Sequence, residues 1–329
     1  MTTFRLFHRV NYPILALVTA HVIWGATAPF YKLILQSIPP FTFMFLRFAV
    51  ASIILAPFAI PRVHRIRNLF YPEIIFSSFF GIFLVNAMFD MGLTRAPSIN
   101  LSIIAASAPI ITSFLAVKFL HTKLKPKVLM GSLVSFFGVL IVIAAPFILS
   151  GGRMATGQMH GNLLFILGTV ALVIGIIMQT DVVKKTDVVA MTFIGLIIAT
   201  IFYFPFSVNE LHTGRTAILN ATVIIGILWG GLVSLVGGYL LCFYGVSRLR
   251  GTEATLFIYI DPVATAIVAF ILLGERPTLP FIVGSFLIFA GIYIAERRIH
   301  WHPLHLLIVD EPKFVRQISA VFQKINHIT

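Results

Sequence analysis

Apolar residues fall in long, nearly unbroken runs along this chain, and polar residues collect between them. The runs cover 13–35, 41–60, 73–93, 99–119, 128–149, 161–180, 188–207, 220–244, 252–273 and 280–296. Each is close to the ~20 residues with which an α-helix crosses the hydrocarbon of a bilayer. The separators carry turn chemistry, as in Ser37-Ile38-Pro39-Pro40, Arg95-Ala96-Pro97, Gly151-Gly152-Arg153 and Gly274-Glu275-Arg276-Pro277. The pattern predicts an all-α polytopic membrane protein with ten transmembrane helices.

A faint internal repeat is superimposed on these runs. Residues 92–142 align with 245–295 without a gap at an offset of 153, and eleven of the 51 pairs are identical. The identities include Gly92/Gly245, Arg95/Arg248, Pro109/Pro262, Thr112/Thr265, Gly131/Gly284, Ser132/Ser285 and Gly138/Gly291. Matched Gly, Pro and Ser weigh more than matched apolar residues, because they set kinks and close helix contacts. Pro57-Phe58 matches Pro205-Phe206 at a smaller offset of 148. Five spans per copy is an odd number, so the second copy enters the membrane from the opposite side. The expectation is two inverted five-helix repeats, the architecture of many secondary transporters.

Composition agrees with a membrane protein: 59% of residues are hydrophobic and only 11% charged, against about 25% charged in soluble domains. The net charge of +13 does not point to nucleic acid, because Lys and Arg sit between the apolar runs and at the chain ends. Counted by side, eighteen fall on the face that holds both termini and four on the other, with Lys32 and Arg47 inside spans. The positive-inside rule then places both termini in the cytoplasm of a cell-membrane protein. The run after Arg5 and Arg9 is too long for a signal peptide's apolar core of about 7–15 residues, so it is expected to stay as an anchor. Cys242 is the chain's one cysteine, which excludes an intrachain disulfide.

Ionisable groups inside spans are costly and mark interior or water-filled paths. Counting ~1.5 Å per residue, Lys32, Arg47 and Asp90 share a depth of about 6–9 Å below the outer boundary. Asp90 paired with Lys32 or Arg47 would hold helices together or form an outer gate; direct substrate contact is the other reading. Asp261 lies about 13 Å deep, near the midplane. Pro262 after it removes a backbone donor and frees the Ile258 carbonyl, so Asp261 could take a substrate amine or a proton, or simply pack helices. Trp24, Asn86, Asn100, Gln179, Tyr239 and Tyr259 could line the same cavity, although such residues often only bond between helices. Gly226, Gly230, Ser234 and Gly238 recur every fourth residue and read as a packing seam. Glu253 and Asp181 read as interfacial. In the tail, Phe314, Val315, Ile318, Val321, Phe322 and Ile325 would share one face of an amphipathic inner-leaflet helix. His300, His302 and His305 lack a complementary carboxylate or Cys, so no metal site is expected.

Asp261-Pro262-Val263-Ala264, Leu272-Leu273-Gly274-Glu275-Arg276, Gly284 and Gly291 together resemble the ninth and tenth helices of the drug/metabolite transporter superfamily, in its ten-helix EamA-type branch. Trp24-Gly25, Pro29, Lys32 and Arg47 resemble its first two helices. The chain departs from the pattern at His121-Thr122, where the first repeat often carries its own Gly-Glu, and it has no sixth-helix echo of Trp24. The resemblance covers about residues 13–297 and implies a first EamA-like repeat at 13–149 and a second at 161–297. An N-terminus at 1–12, an external linker at 150–160 and a tail at 298–329 flank them.

The leading reading is a secondary transporter that moves a small polar metabolite or drug-like compound, an amino acid or a relative, by alternating access. The family likeness implies export more often than uptake. Expected partners are the substrate and membrane lipids, with no cofactor; proton coupling and a homodimer are both compatible with the sequence. No GxxxxGK[ST] motif is present, which argues against direct use of ATP. The alternative is a polytopic membrane enzyme acting on a lipid-linked or small substrate, but no convergent set of catalytic residues is visible.

Overall fold

The computed structural model describes residues 12–64, 72–108, 110–112, 126–149, 156–213, 219–248 and 255–296, and within these all regular structure is helical. We label the helices α1 (Tyr12–Ile34), α2 (Pro40–Val63), α4 (Ser98–Ala105), α5 (Pro126–Leu149), α6 (Thr156–Lys185), α7 (Val188–His212) and α10 (Leu279–Glu296). Three others are composite. Helix α3 runs through Pro72–Ser78, a π-helical stretch Phe79–Leu84 and Val85–Leu93. Helix α8 runs through Ala221–Leu228, a second π-helical stretch Trp229–Gly237 and Gly238–Arg248. Helix α9 starts as a 3-10 segment, Thr255–Ile260, and becomes α-helical at Asp261–Leu273.

Six of the described helices are long and apolar enough to cross a membrane: Tyr12–Ile34, Pro40–Val63, Ile74–Leu93, Gly157–Gln179, Val188–His212 and Ala221–Arg248. The expected runs 99–119, 128–149, 252–273 and 280–296 correspond to shorter apolar helices, Ser98–Thr112, Leu129–Ala145, Phe257–Leu273 and Leu279–Gly291. The change of helix type in α9 has a local cause, since Pro262 has no N–H to give to Ile258. Residues 1–11, Pro109, His121-Thr122, the segment 150–155, Glu253 and the tail with its amphipathic helix and His300, His302 and His305 lie outside the described residues, as does the side chain of Asp181.

Helix ends follow local chemistry. Asp187 accepts from the Val189 and Ala190 amides to start α7, and Asn220 accepts from the Val223 amide to start α8. At the end of α9, Gly274 takes the left-handed conformation (φ 63°) that closes helices, a position that only Gly adopts without strain.

Small residues set the packing. Helix α5 lies chiefly against α10, α2 against α7, and α1 against α8 and α9. A Cβ on Gly138 would come within 2.6 Å of the Gly284 carbonyl oxygen, and one on Gly291 would collide with the Gly131 carbonyl oxygen. Ser135 Oγ donates to the Ile288 carbonyl at 2.8 Å in the same seam. Gly226 meets Ile34, Gly230 meets Tyr31 and Arg47, and Gly238 meets Trp24, so the small-residue stripe of α8 is a seam against α1 and α2. Large apolar side chains such as Ile53, Phe58, Phe136, Ile201, Ile271 and Phe286 point outward and are exposed, as suits a surface solvated by lipid tails rather than water.

Gly138→Leu should force α5 and α10 apart at a backbone contact that has no side chain to yield, at a cost of about 1–3 kcal/mol. The thermal midpoint in detergent should fall accordingly. Gly157→Ala, where an added Cβ meets nothing, should leave it unchanged.

Candidate functional site: a cavity around Asp261

Gly25 allows the closest approach at the centre of the bundle. A Cβ there would lie 2.7 Å from the Asp261 carbonyl oxygen and 2.8 Å from the Ala264 Cβ. Thr265 Oγ1 donates to the Gly25 carbonyl at 2.9 Å and fixes the same crossing of α1 and α9. One turn away, His21 Nδ1 sits 2.8 Å from Asp261 Oδ1. With the ring proton on Nδ1, His21 donates to the carboxylate and orients it. Both side chains are largely buried, at 9% and 15% exposure.

These groups face a cavity of about 190 Å³ lined by α1, α3, α4, α6, α8 and α9. Its walls are mostly apolar, with polar groups at two levels. The His21–Asp261 pair forms the first. The second is built on α3, where Asn86 and Asp90 reach the cavity wall. Asp90 Oδ2 accepts from Arg47 Nη2 at 2.6 Å, and Asn86 Oδ1 accepts from the same nitrogen at 3.1 Å. Arg47 has no exposed surface, and its guanidinium stands 4.2 Å from the Tyr31 ring centroid, over the ring face. Removing one partner of such a buried pair typically costs about 3–5 kcal/mol, because the other charge is left without compensation.

Aromatic and amide side chains connect the two levels. His21 meets Trp24 edge-on at 5.5 Å between ring centroids, and Trp24 meets Tyr239 at 5.4 Å. Trp24 Nε1 donates to the Ser234 carbonyl at 3.0 Å, and Asn86 Nδ2 donates to Tyr239 Oη at 3.2 Å. Both π-helical stretches contribute walls, through Gly81 on α3 and Ser234 and Leu235 on α8.

Among the residues singled out from sequence, Trp24, Asn86, Asp90, Gln179, Tyr239 and Asp261 line this cavity. Asn100 and Tyr259 are not among its lining residues. Asn100 donates to Asn162 Oδ1 at 3.0 Å between α4 and α6, and the Tyr259 ring lies 6.3 Å from Phe289 of α10. Of the two partners considered for Asp90, the structure pairs it with Arg47. Lys32 instead reaches Glu275, with Nζ to Oε1 at 2.7 Å. The reason is direction: the depth of Lys32 matches that of Asp90, but the side chain points to the α9–α10 turn. Sequence reasoning passed over His21. A usable signal existed, because His21 and Asp261 are each about nine residues into spans that enter from the same side, which gives them equal depth.

A second polar system closes one end of the bundle. Glu275 Oε1 also accepts from the Ser98 amide at 3.1 Å, while Oε2 accepts from Ser98 Oγ at 2.8 Å and the Ile99 amide at 3.2 Å. Glu210, at the end of α7, accepts through Oε2 from the Thr42 amide at 2.8 Å and from Thr42 Oγ1 at 3.0 Å. Each carboxylate thus caps the positive N-terminus of another helix, α4 or α2.

Comparison with known proteins bears on what such a cavity serves. The model of the EamA-like transporter family matches residues 11–144 and again 159–296. An uncharacterized transporter of Archaeoglobus fulgidus is 25% identical over 277 residues, covering 84% of this chain and 95% of that protein. A probable terminal-alkyne amino-acid exporter of Streptantibioticus cattleyicolor is 25% identical over 291 residues, 86% of this chain and 93% of that one. A crystal structure at 17% identity and a TM-score of 0.59 covers 87% of this chain and 99% of its own, and so shares the fold. With the family model matching along nearly all of its helical length, the chain belongs to the EamA-like transporter family, and it is a multi-pass membrane transporter rather than an enzyme.

Proposed function

We propose that the chain spans the membrane ten times, as two inverted five-helix repeats at 13–149 and 161–297, and transports its substrate by alternating access. Contacts between offset-related residues support the repeat. A residue on a two-fold axis touches its own counterpart, and off the axis contacts come in reciprocal pairs. Asn86 bonds to Tyr239 and Ser135 to Ile288, both at the offset of 153, and Ser52 to Thr200 at 148. Gly138 meets Gly284 while Gly291 meets Gly131, which is the reciprocal arrangement. The π-helical stretches also correspond, since Phe79–Leu84 shifted by 153 falls on 232–237, inside Trp229–Gly237. The distribution of Lys and Arg supports cytoplasmic termini and insertion in the cell membrane.

The substrate is a small molecule with a protonated amine and an apolar body, an amino acid or a related compound, moved outward. The observation that carries this reading is the Asp261 carboxylate in the apolar cavity, held by His21 and bordered by Trp24. A cation gains there from the charge of the carboxylate, held in apolar surroundings. A cavity of about 190 Å³ is on the scale of a small metabolite. The amino-acid exporter among the relatives agrees with this class. Proton coupling would run through the same pair: a proton on Asp261 and an amine at Asp261 exclude each other.

The test is uptake of radiolabelled amino acids and hydrophobic amines into proteoliposomes, with and without a pH gradient. Asp261→Asn keeps the size and the hydrogen bonding but not the charge. It should lower gradient-driven transport at least about tenfold, the equivalent of one charge-assisted hydrogen bond, and weaken exchange of substrate for substrate along with it. Normal gradient-driven transport by folded Asp261→Asn protein would remove Asp261 from the mechanism.

The topology has its own check. Reporters fused after residues 150 and 325 should report the external and the cytoplasmic side respectively; both on one side would refute the ten-span model.

A further inference from the structure

Glu275 is unusual among the carboxylates of this bundle, because its two oxygens serve three parts of the fold at once. Four donors converge on it: Lys32 Nζ from α1, and the Ser98 amide, Ser98 Oγ and Ile99 amide from the start of α4. Its own backbone belongs to the turn between α9 and α10. Gly274 directs it there, since the left-handed φ of 63° folds the chain back over the end of α9. The Glu275 side chain is 12% exposed, so these charge-assisted bonds act with little competition from water.

The contact joins the two proposed repeats at one end of the bundle, the outer end in the proposed orientation. Glu210 adds a second link at that same end, from α7 to Thr42 of α2. In a transporter of inverted halves, the other state is made by exchanging the conformations of the halves, so the opposite end closes through counterpart residues. Here the counterparts do not carry the chemistry. At the offset of 153, Thr122 stands for Glu275 and Gly251 for Ser98. At these two aligned positions the chain therefore has neither the carboxylate nor the serine hydroxyl that make the contact.

We propose that Glu275 is a one-sided latch, which holds the substrate-free transporter closed at the Lys32–Ser98 end and so sets the side from which the cavity is loaded. The proposal rests on the alternating-access reading above. Two states that are equivalent by repeat symmetry become unequal in population through one end's hydrogen bonds, and each tenfold bias needs only ~1.4 kcal/mol. Loading from the cytoplasm follows from the same bias, and that is the side from which an exporter must take its substrate.

The chain's single cysteine provides the reporter. Cys242 lines the cavity, six residues before Arg248 at the end of α8 away from the latch. A membrane-impermeant maleimide applied to sealed vesicles should modify it from the Arg248 side in the wild-type protein. In Glu275→Gln that rate should fall by about half, because the two states then become about equally populated. Ser102→Cys in a Cys242→Ala background places a thiol on the cavity wall nearer the latch; adding Glu275→Gln should make it reactive from the Lys32 side. Lys32→Gln, which keeps the cap of α4 and loses only the ion pair, should shift both reporters in the same direction by less, and it stands in if Glu275→Gln does not fold. Unchanged side-dependence in both variants, with transport intact in the same vesicles, would overturn the latch. A wrong orientation would instead exchange the two sides for wild type and variants alike. Failure of the transport reading would appear as wild-type labelling that no substrate alters.

Discussion

Hydrocarbon offers no hydrogen bonds, so a polar group inside this bundle must find its partner in the protein. That constraint organises the interior. Arg47 is held by Asp90 and Asn86, Asp261 by His21, Lys32 by Glu275, and the first-turn amides at the starts of α2 and α4, which have no partner within their own helix, by Glu210 and Glu275. Each of these bonds joins different helices. The apolar surface says only that a helix belongs in the membrane; the polar pairs say which helix stands beside which.

The pairs fall into two kinds. Arg47–Asp90 is the more deeply buried, packed among Tyr31, Phe43 and Phe48 with Asp90 at the cavity wall. His21–Asp261 and Lys32–Glu275 are shorter of shelter, one facing the cavity and the other at its end. Glycine contacts work alongside both kinds. Gly25 brings α1 onto α9 so that His21 can meet Asp261, and Gly138, Gly284 and Gly291 bring α5 onto α10 at a distance where no side chain fits. The Trp24-Gly25 and Gly274-Glu275 motifs thus each combine a glycine that sets the backbone with a neighbour that uses the room.

Helical membrane character and family were legible from the apolar runs and the motifs. Depth along each helix was legible too, which is why Asp90 was expected beside Arg47 or Lys32. What the sequence withheld was azimuth. Lys32 and Asp90 share a level yet point apart, and Asn100 and Tyr259 turn into helix seams rather than the cavity. His21 was hidden for a different reason: a lone histidine in an apolar run carries little signal until its depth is compared with that of Asp261. Part of the lost azimuth has a local origin. The π-helical stretches in α3 and α8 break the 3.6-residue period on which any helical projection depends.

Those stretches have a consequence for how the chain can change in length. A π-helical turn holds one residue more than an α-helical turn, and one residue of an α-helix corresponds to about 100° of rotation. Deleting a single codon within Phe79–Leu84 would let an α-helical turn replace the π-helical one, and Asn86 and Asp90 would stay on the wall they occupy. The same deletion within Trp229–Gly237 would likewise leave Tyr239 and Cys242 facing the cavity, whereas a deletion in the regular part of either helix would turn them by about 100°. These two short stretches are thus places where a span tolerates a change in residue number and not only in residue identity. Insertions and deletions of one residue in relatives would there leave the interior aimed as before, with the membrane-facing surface as apolar as before.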